Sequence, residues 1–146
     1  MAENPLAELA KVGQSVWYDQ MERSLITTGK LRQLIERDDL RGLTSNLTFF
    51  EKAIGGSKDY ADILAQLQKD TSLDATAVYE RLAIRDIQDA ADILRGVYDS
   101  SRKRDGYVSL EVSPYLALKT RETVAEAKSL WKTVGRENVM IKVPGT

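Results

Sequence analysis

Apolar positions along this chain follow two periods, one close to 3.6 and one of 2, and the switches between them divide the sequence into alternating elements. Asn4-Pro5 before "LAELAKV" reads as an N-cap with proline at the first helical position, and Gly13 ends that short helix. "QSVWYD" then packs β-branched and aromatic residues into a short run and predicts a strand ending at Asp19. "MERSLITTGKLRQLIERDD" is helical in two pieces broken at Gly29, with Leu31, Leu34 and Ile35 at helical spacing in the second. "LRGLTSN" is a second short strand, and "LTFFEKAIGG" a brief helix stopped by Gly55-Gly56.

"SKDYADILAQLQKD" places Tyr60, Ile63, Leu64 and Leu67 on one helical face. Asp74 then caps the longest predicted helix, whose wide stripe of Tyr79 or Leu82, Ala83, Ile87, Ala90, Leu94 and Val97 calls for heavy burial. "DGYVSLEVSP" is the clearest strand: Asp105-Gly106 turns the chain, Val108, Leu110 and Val112 alternate with Tyr107, Ser109 and Glu111, and Pro114 closes it. "TRETVAEAKSLWKTVG" predicts an amphipathic helix with Val124, Ala127 and Trp131 on its core face and Gly135 at its end. "NVMIKVPGT" is a last strand, Val139, Ile141 and Val143 on one face and Met140 and Lys142 on the other.

Strands separated by helices must pair in parallel through crossovers, so the order predicts an α/β architecture. An all-helical chain is the rival reading if the short strands fail to form. Alternation puts one polar side chain at each strand's end on the face away from the helices: Asp19, Asn46, Glu111 and Lys142, with Thr44 and Ser109 beside them. In a β/α barrel that face is the interior, and the C-terminal strand ends hold the active site. Each residue also has a plainer use. Asp19 and Asn46 suit helix caps, and Glu111 and Lys142 suit solvated strand positions. The Phe49-Phe50 pair and Trp131 read as core.

Composition narrows the chemistry. With 146 residues, 42% of them hydrophobic and 29% charged, the chain fits one globular domain. A net charge of −1 without like-charge blocks argues against nucleic-acid binding. There is no histidine and no cysteine, which removes Ser-His-Asp and Cys-His catalysis, histidine bases and thiol chemistry. What remains is carboxylates, lysine, hydroxyls and backbone. A neutral lysine amine beside carboxylates can form a Schiff base with a carbonyl, an electron sink for breaking the adjacent carbon–carbon bond. "MAENPLAELAK" has no signal-peptide pattern and no segment has membrane-spanning length, so the expected location is cytoplasmic, with no membrane partner.

"GQSVWYD", "GLTSNLTFFEKAI", "LAIRDIQDAADILR", "DGYVSLEVSP", "KTRETVAEAKSLW" and "NVMIKVPGT" together resemble the N-terminal half of a transaldolase of the longer bacterial form. The resemblance covers essentially the whole chain and implies half of a β/α (TIM) barrel over residues 1–146, helix-rich, with about four parallel strands. It implies transfer of a dihydroxyacetone unit between sugar phosphates in the pentose phosphate pathway, with no metal or organic cofactor. On these positions Lys142 is the Schiff-base nucleophile, Glu111 goes with a catalytic water and Asp19 is the acid/base at a substrate hydroxyl; Asn46, Thr44 and Ser109 bind substrate. The sequence departs from the family pattern at Leu47, where proline usually follows "TSN", and in "TFF" for "TIF". The resemblance also implies eight strands and a later phosphate-binding arginine. Four strands alone are therefore expected to self-associate or pair with the rest of a barrel, and to turn over little substrate; a non-catalytic half-barrel or interaction module is the alternative.

Overall fold

A computed structural model of the chain describes residues 4–45, 58–67 and 73–145. Four strands form one sheet in the order β1 (Val16–Tyr18), β2 (Leu40–Thr44), β3 (Tyr107–Glu111), β4 (Val139–Lys142). Every neighbouring pair is parallel. Parallel neighbours need a crossover, and helices supply each one. α1 (Pro5–Leu9) precedes the sheet, and α2 (Arg23–Thr27) and α3 (Lys30–Asp38) join β1 to β2. α4 (Ala61–Leu67) and α5 (Ala75–Ser100) lie between β2 and β3, and α6 (Thr120–Val134) between β3 and β4. This is a partial β/α barrel, and the all-helical reading is excluded.

Local chemistry sets the element ends. The Asn4 side chain accepts a hydrogen bond from the Leu6 amide, with Pro5 at the first helical position. Asp74 accepts from the Ala77 amide at the start of α5. Gly13 and Gly135 close their helices in the left-handed conformation. The "LTFFEKAIGG" helix, the Phe49-Phe50 pair and Asn46 lie outside the described residues.

The core lies between one sheet face and the helices. Leu43, Val108, Leu110 and Val112 meet Ala83, Ile87, Ala90 and Leu94 of α5, all buried. Each fully buried large aliphatic side chain contributes about 1.5–3 kcal/mol relative to exposure. α6 corrects one expectation. Its buried residues are Leu130 and Val134, while Val124 is 48% and Trp131 54% exposed. The two stripes share Ala127 and lie one residue apart around the helix, so spacing alone does not choose between them; the aliphatic stripe faces inward and the indole faces water.

Two polar ties hold the bottom of the sheet. The Asn138 side chain, 1% exposed, donates to the carbonyls of Ala91 (2.8 Å) and Gly106 (2.9 Å), joining α5, the turn before β3 and the start of β4. Gly106 has φ 81°, and a Cβ there would stand 2.3 Å from the Tyr98 backbone nitrogen. Gly106→Ala is expected to cost at least about 2 kcal/mol in urea unfolding; a loss below experimental error would refute the close approach.

Arg136 forms a two-pronged pair with Asp92 of α5, at 2.6 and 2.9 Å. Its hydrogen bond holds the Asp92 carboxyl below the usual carboxylate range. A depressed folded-state value gives stability that is present above the unfolded carboxylate range and lost as pH falls through the lower folded-state value. The pair is exposed, so Arg136→Gln should cost only about 0.5 kcal/mol at neutral pH and less at about pH 2. Denaturant midpoints of both chains at the two pH values check this.

Candidate functional site

The second sheet face carries the polar set. Glu111 and Lys142 are direct register partners at the C-terminal ends of β3 and β4. Lys142 Nζ lies 3.3 Å from Glu111 Oε2 and donates to the Ser45 carbonyl at 3.0 Å. The two side chains are 38% and 25% exposed, so the pair is half-buried and open on one side. One pleat lower, Thr44 and Ser109 are partners across β2 and β3, and the Ser109 hydroxyl donates to Thr44 Oγ1 at 2.9 Å. Thr44 donates in turn toward the Ser45 carbonyl at 3.4 Å. Lys142 and Thr44 thus both donate to the Ser45 carbonyl, with Glu111 joined to the lysine and Ser109 to the threonine.

Asp19 directly follows β1 and is exposed. It is one step beyond Tyr18, whose partner is Leu43, which sets it level with Thr44. It does not cap the next helix: Glu22 occupies the cap position of α2. In the order β1-β2-β3-β4, Asp19 and Lys142 belong to opposite outer strands. Three strand spacings of about 4.8 Å separate those strands along the sheet. Asn46, one residue past Ser45, lies outside the described residues.

Sequence reasoning missed the Ser45 carbonyl. Alternation turns the Ser45 side chain to the opposite face, and a backbone acceptor leaves no residue-type signal. Beside the pair, a cleft of about 470 Å³ between the start of α5 and α6 is lined by Ser45, Tyr79, Glu80, Glu111, Ser113 and Glu126, among others. It reaches the glutamate but not Lys142. Among the described residues no group of three or more aspartates or glutamates is arranged to hold a metal ion. No helix among them is long and apolar enough to cross a membrane.

Trp17 forms the floor beneath this face. It is the register partner of Gly42, and a Cβ on Gly42 would meet its indole at 2.3 Å. Glycine is needed because the indole lies flat on the neighbouring strand. Gly42→Ala should lift the ring, shift single-tryptophan emission in a Trp131→Phe background, and cost about 1–3 kcal/mol. Unchanged emission and stability would show that the ring has room to spare.

A parallel sheet with helices in its crossovers and a lysine–carboxylate pair at its C-terminal strand ends has the layout of part of a β/α barrel. Residues 16–146 match the Transaldolase/Fructose-6-phosphate aldolase family, and the chain belongs to it. Over its full length it is 45% identical to "Transaldolase 2" of Nostoc punctiforme and 47% identical to "Transaldolase 2" of a Nostoc species, covering 38% of each. It is 44% identical to the transaldolase of Trichodesmium erythraeum, again over its full length and 38% of that protein. The chain thus spans less than half the length of these curated relatives.

Proposed function

We propose that this chain carries the Schiff-base centre of a transaldolase, moving a dihydroxyacetone unit from a ketose phosphate to an aldose phosphate in the cytoplasm. The observation that carries this reading is the Lys142–Glu111 pair, in register at two strand ends of a chain 44–47% identical to proteins named transaldolase. Lys142 attacks the ketose carbonyl as a neutral amine. Glu111, the nearest carboxylate, takes the proton that Lys142 gives up before attack and returns it to the carbinolamine hydroxyl, which leaves as water to give an iminium. Asp19 takes the proton from the hydroxyl next to the scissile carbon–carbon bond. That bond's electrons pass into the iminium, leaving an enamine on Lys142 and releasing an aldehyde; addition to a second aldehyde reverses these steps. Thr44, Ser109 and Asn46 hold substrate hydroxyls. The reaction needs no redox partner, and the residues in these roles require no cofactor.

The 146 residues on their own are inferred to turn over little, because they span 38% of the length of the transaldolases they resemble. Among the described residues β1 and β4 are the outer strands of the sheet, and an unpaired strand edge is a template for pairing with another chain. The chain is therefore read as self-associating, and light scattering at micromolar concentration should give a mass above that of one chain; a clean monomer counts against this.

Borohydride reduction in the presence of a ketose phosphate tests the centre. The expected product is a covalent adduct mapping to Lys142, lost in Lys142→Arg and formed about tenfold or more slowly in Glu111→Gln. No adduct on the unmodified chain would overturn the Schiff-base assignment. Turnover in a coupled assay at rates typical of enzymes would overturn the inference of low activity.

A further inference from the structure

A second polar cluster lies away from the lysine, on the helix side of the sheet. Asp86 is fully buried in the middle of α5, inside the apolar stripe that packs on β2 and β3. Its Oδ1 accepts from Nη1 of Arg23, the first residue of α2, and the two form an ion pair. Its Oδ2 accepts from the Tyr60 hydroxyl at 2.6 Å, and Tyr60 is fully buried too. The Arg23 guanidinium stands over the Tyr60 ring, 5.8 Å from its centroid, close enough for a cation–π attraction. Both carboxylate oxygens are used, and three separate stretches of chain meet at one point.

The sequence positions of these stretches give the cluster its meaning. Arg23 opens the helix four residues after Asp19, on the connection leaving β1. Tyr60 ends the 3₁₀ turn Lys58–Tyr60, on the connection that leaves β2 at Ser45. Asp86 belongs to the helix that leads into β3. A buried ion pair contributes little net stability, because desolvation offsets most of its attraction, and apolar side chains of similar volume often do as well. What apolar packing lacks is direction: hydrogen bonds to the two oxygens favour particular placements of their donors.

We propose that Arg23, Tyr60 and Asp86 form a buried clamp whose work is positional, locking α2 and the Lys58–Tyr60 turn onto α5. The link from this clamp to the presentation of Asp19 rests on the site proposed above; the clamp itself does not. Burial raises the Asp86 carboxyl above the usual range, opposed by Tyr60 and Arg23, with the neighbouring Asp89 adding to the rise. Burial and Asp86 push the Tyr60 hydroxyl upward as well, which keeps it a donor.

The test is hydrogen exchange read by mass spectrometry on the full chain, unmodified and with Arg23→Met, Tyr60→Phe and Asp86→Leu combined. If the clamp is positional, this apolar triple variant keeps its thermal midpoint, yet residues 19–29 and 58–67 exchange about tenfold or more faster while β3 and α6 exchange as before. Native-like protection of 19–29 and 58–67 in the triple variant would overturn the proposal, since packing alone would then hold those segments. Should the triple variant fail to fold, Tyr60→Phe alone removes one oxygen and keeps the ring. It should speed exchange in the same two segments only, and no change or a uniform increase overturns the clamp. Exchange needs no substrate, so a failure of Lys142 to trap sugar would strike the proposed chemistry and leave this result standing.

Discussion

Parallel pairing is the constraint on which the rest of this molecule depends. Each strand must be followed by a return across the sheet, and all the returns here are helical. Helices need an apolar seat, so Leu43, Val108, Leu110 and Val112 are committed to one face along with Ile87, Ala90 and Leu94 of α5. Strand alternation then frees the other face for residues the core would reject. Lys142, Glu111, Thr44 and Ser109 share that face for the same reason that Val108 does not. The site and the core are two results of a single two-residue period.

α5 links these two sides. It runs 26 residues, about 39 Å at 1.5 Å per residue, well beyond what a return across a five-residue strand requires. Its length lets one helix pack on β2 and β3, carry Asp86 to Arg23 and Tyr60, and reach Arg136 through Asp92 near the start of β4. Alanines at 83, 90 and 91 let it approach the sheet closely. Polar ties on such a helix bear on the whole sheet, because every connection between neighbouring strands touches it or lies beside it.

Much of this was readable from the residues. Caps and stops at Asn4, Gly13, Asp74 and Gly135 carry their own chemistry, and the structure uses each of them. The clean alternation in "YVSLEV" fixed which side of β3 meets the helices. Where reading failed, the cause was geometric. On α6, two apolar stripes share Ala127, and only the neighbouring elements decide that Leu130 and Val134 go inward while Trp131 faces water. Asp86 did leave a trace, a charge inside an otherwise apolar stripe, but its partners lie 26 and 63 residues away. The Ser45 carbonyl that receives Lys142 is backbone and left none. Glu111 and Lys142 were placed on one face by period, whereas their direct pairing depends on register, which period does not give.

Register also decides whether the polar face is a site at all. Sliding β4 by one residue against β3 would set Lys142 beside Leu110 or Val112 and turn it toward the helices, while Ile141 moved to the polar face. That slip would bury an unpaired ammonium and expose an aliphatic chain, two penalties of the same sign. The Asn138 bonds to Ala91 and Gly106 oppose it as well, since they pin the residue before β4 to α5 and to the turn before β3. A polar tie at the bottom of the strand therefore sets the height of the lysine at the top. Glu111 meets Lys142 at 3.3 Å because an amide four residues upstream is buried and satisfied.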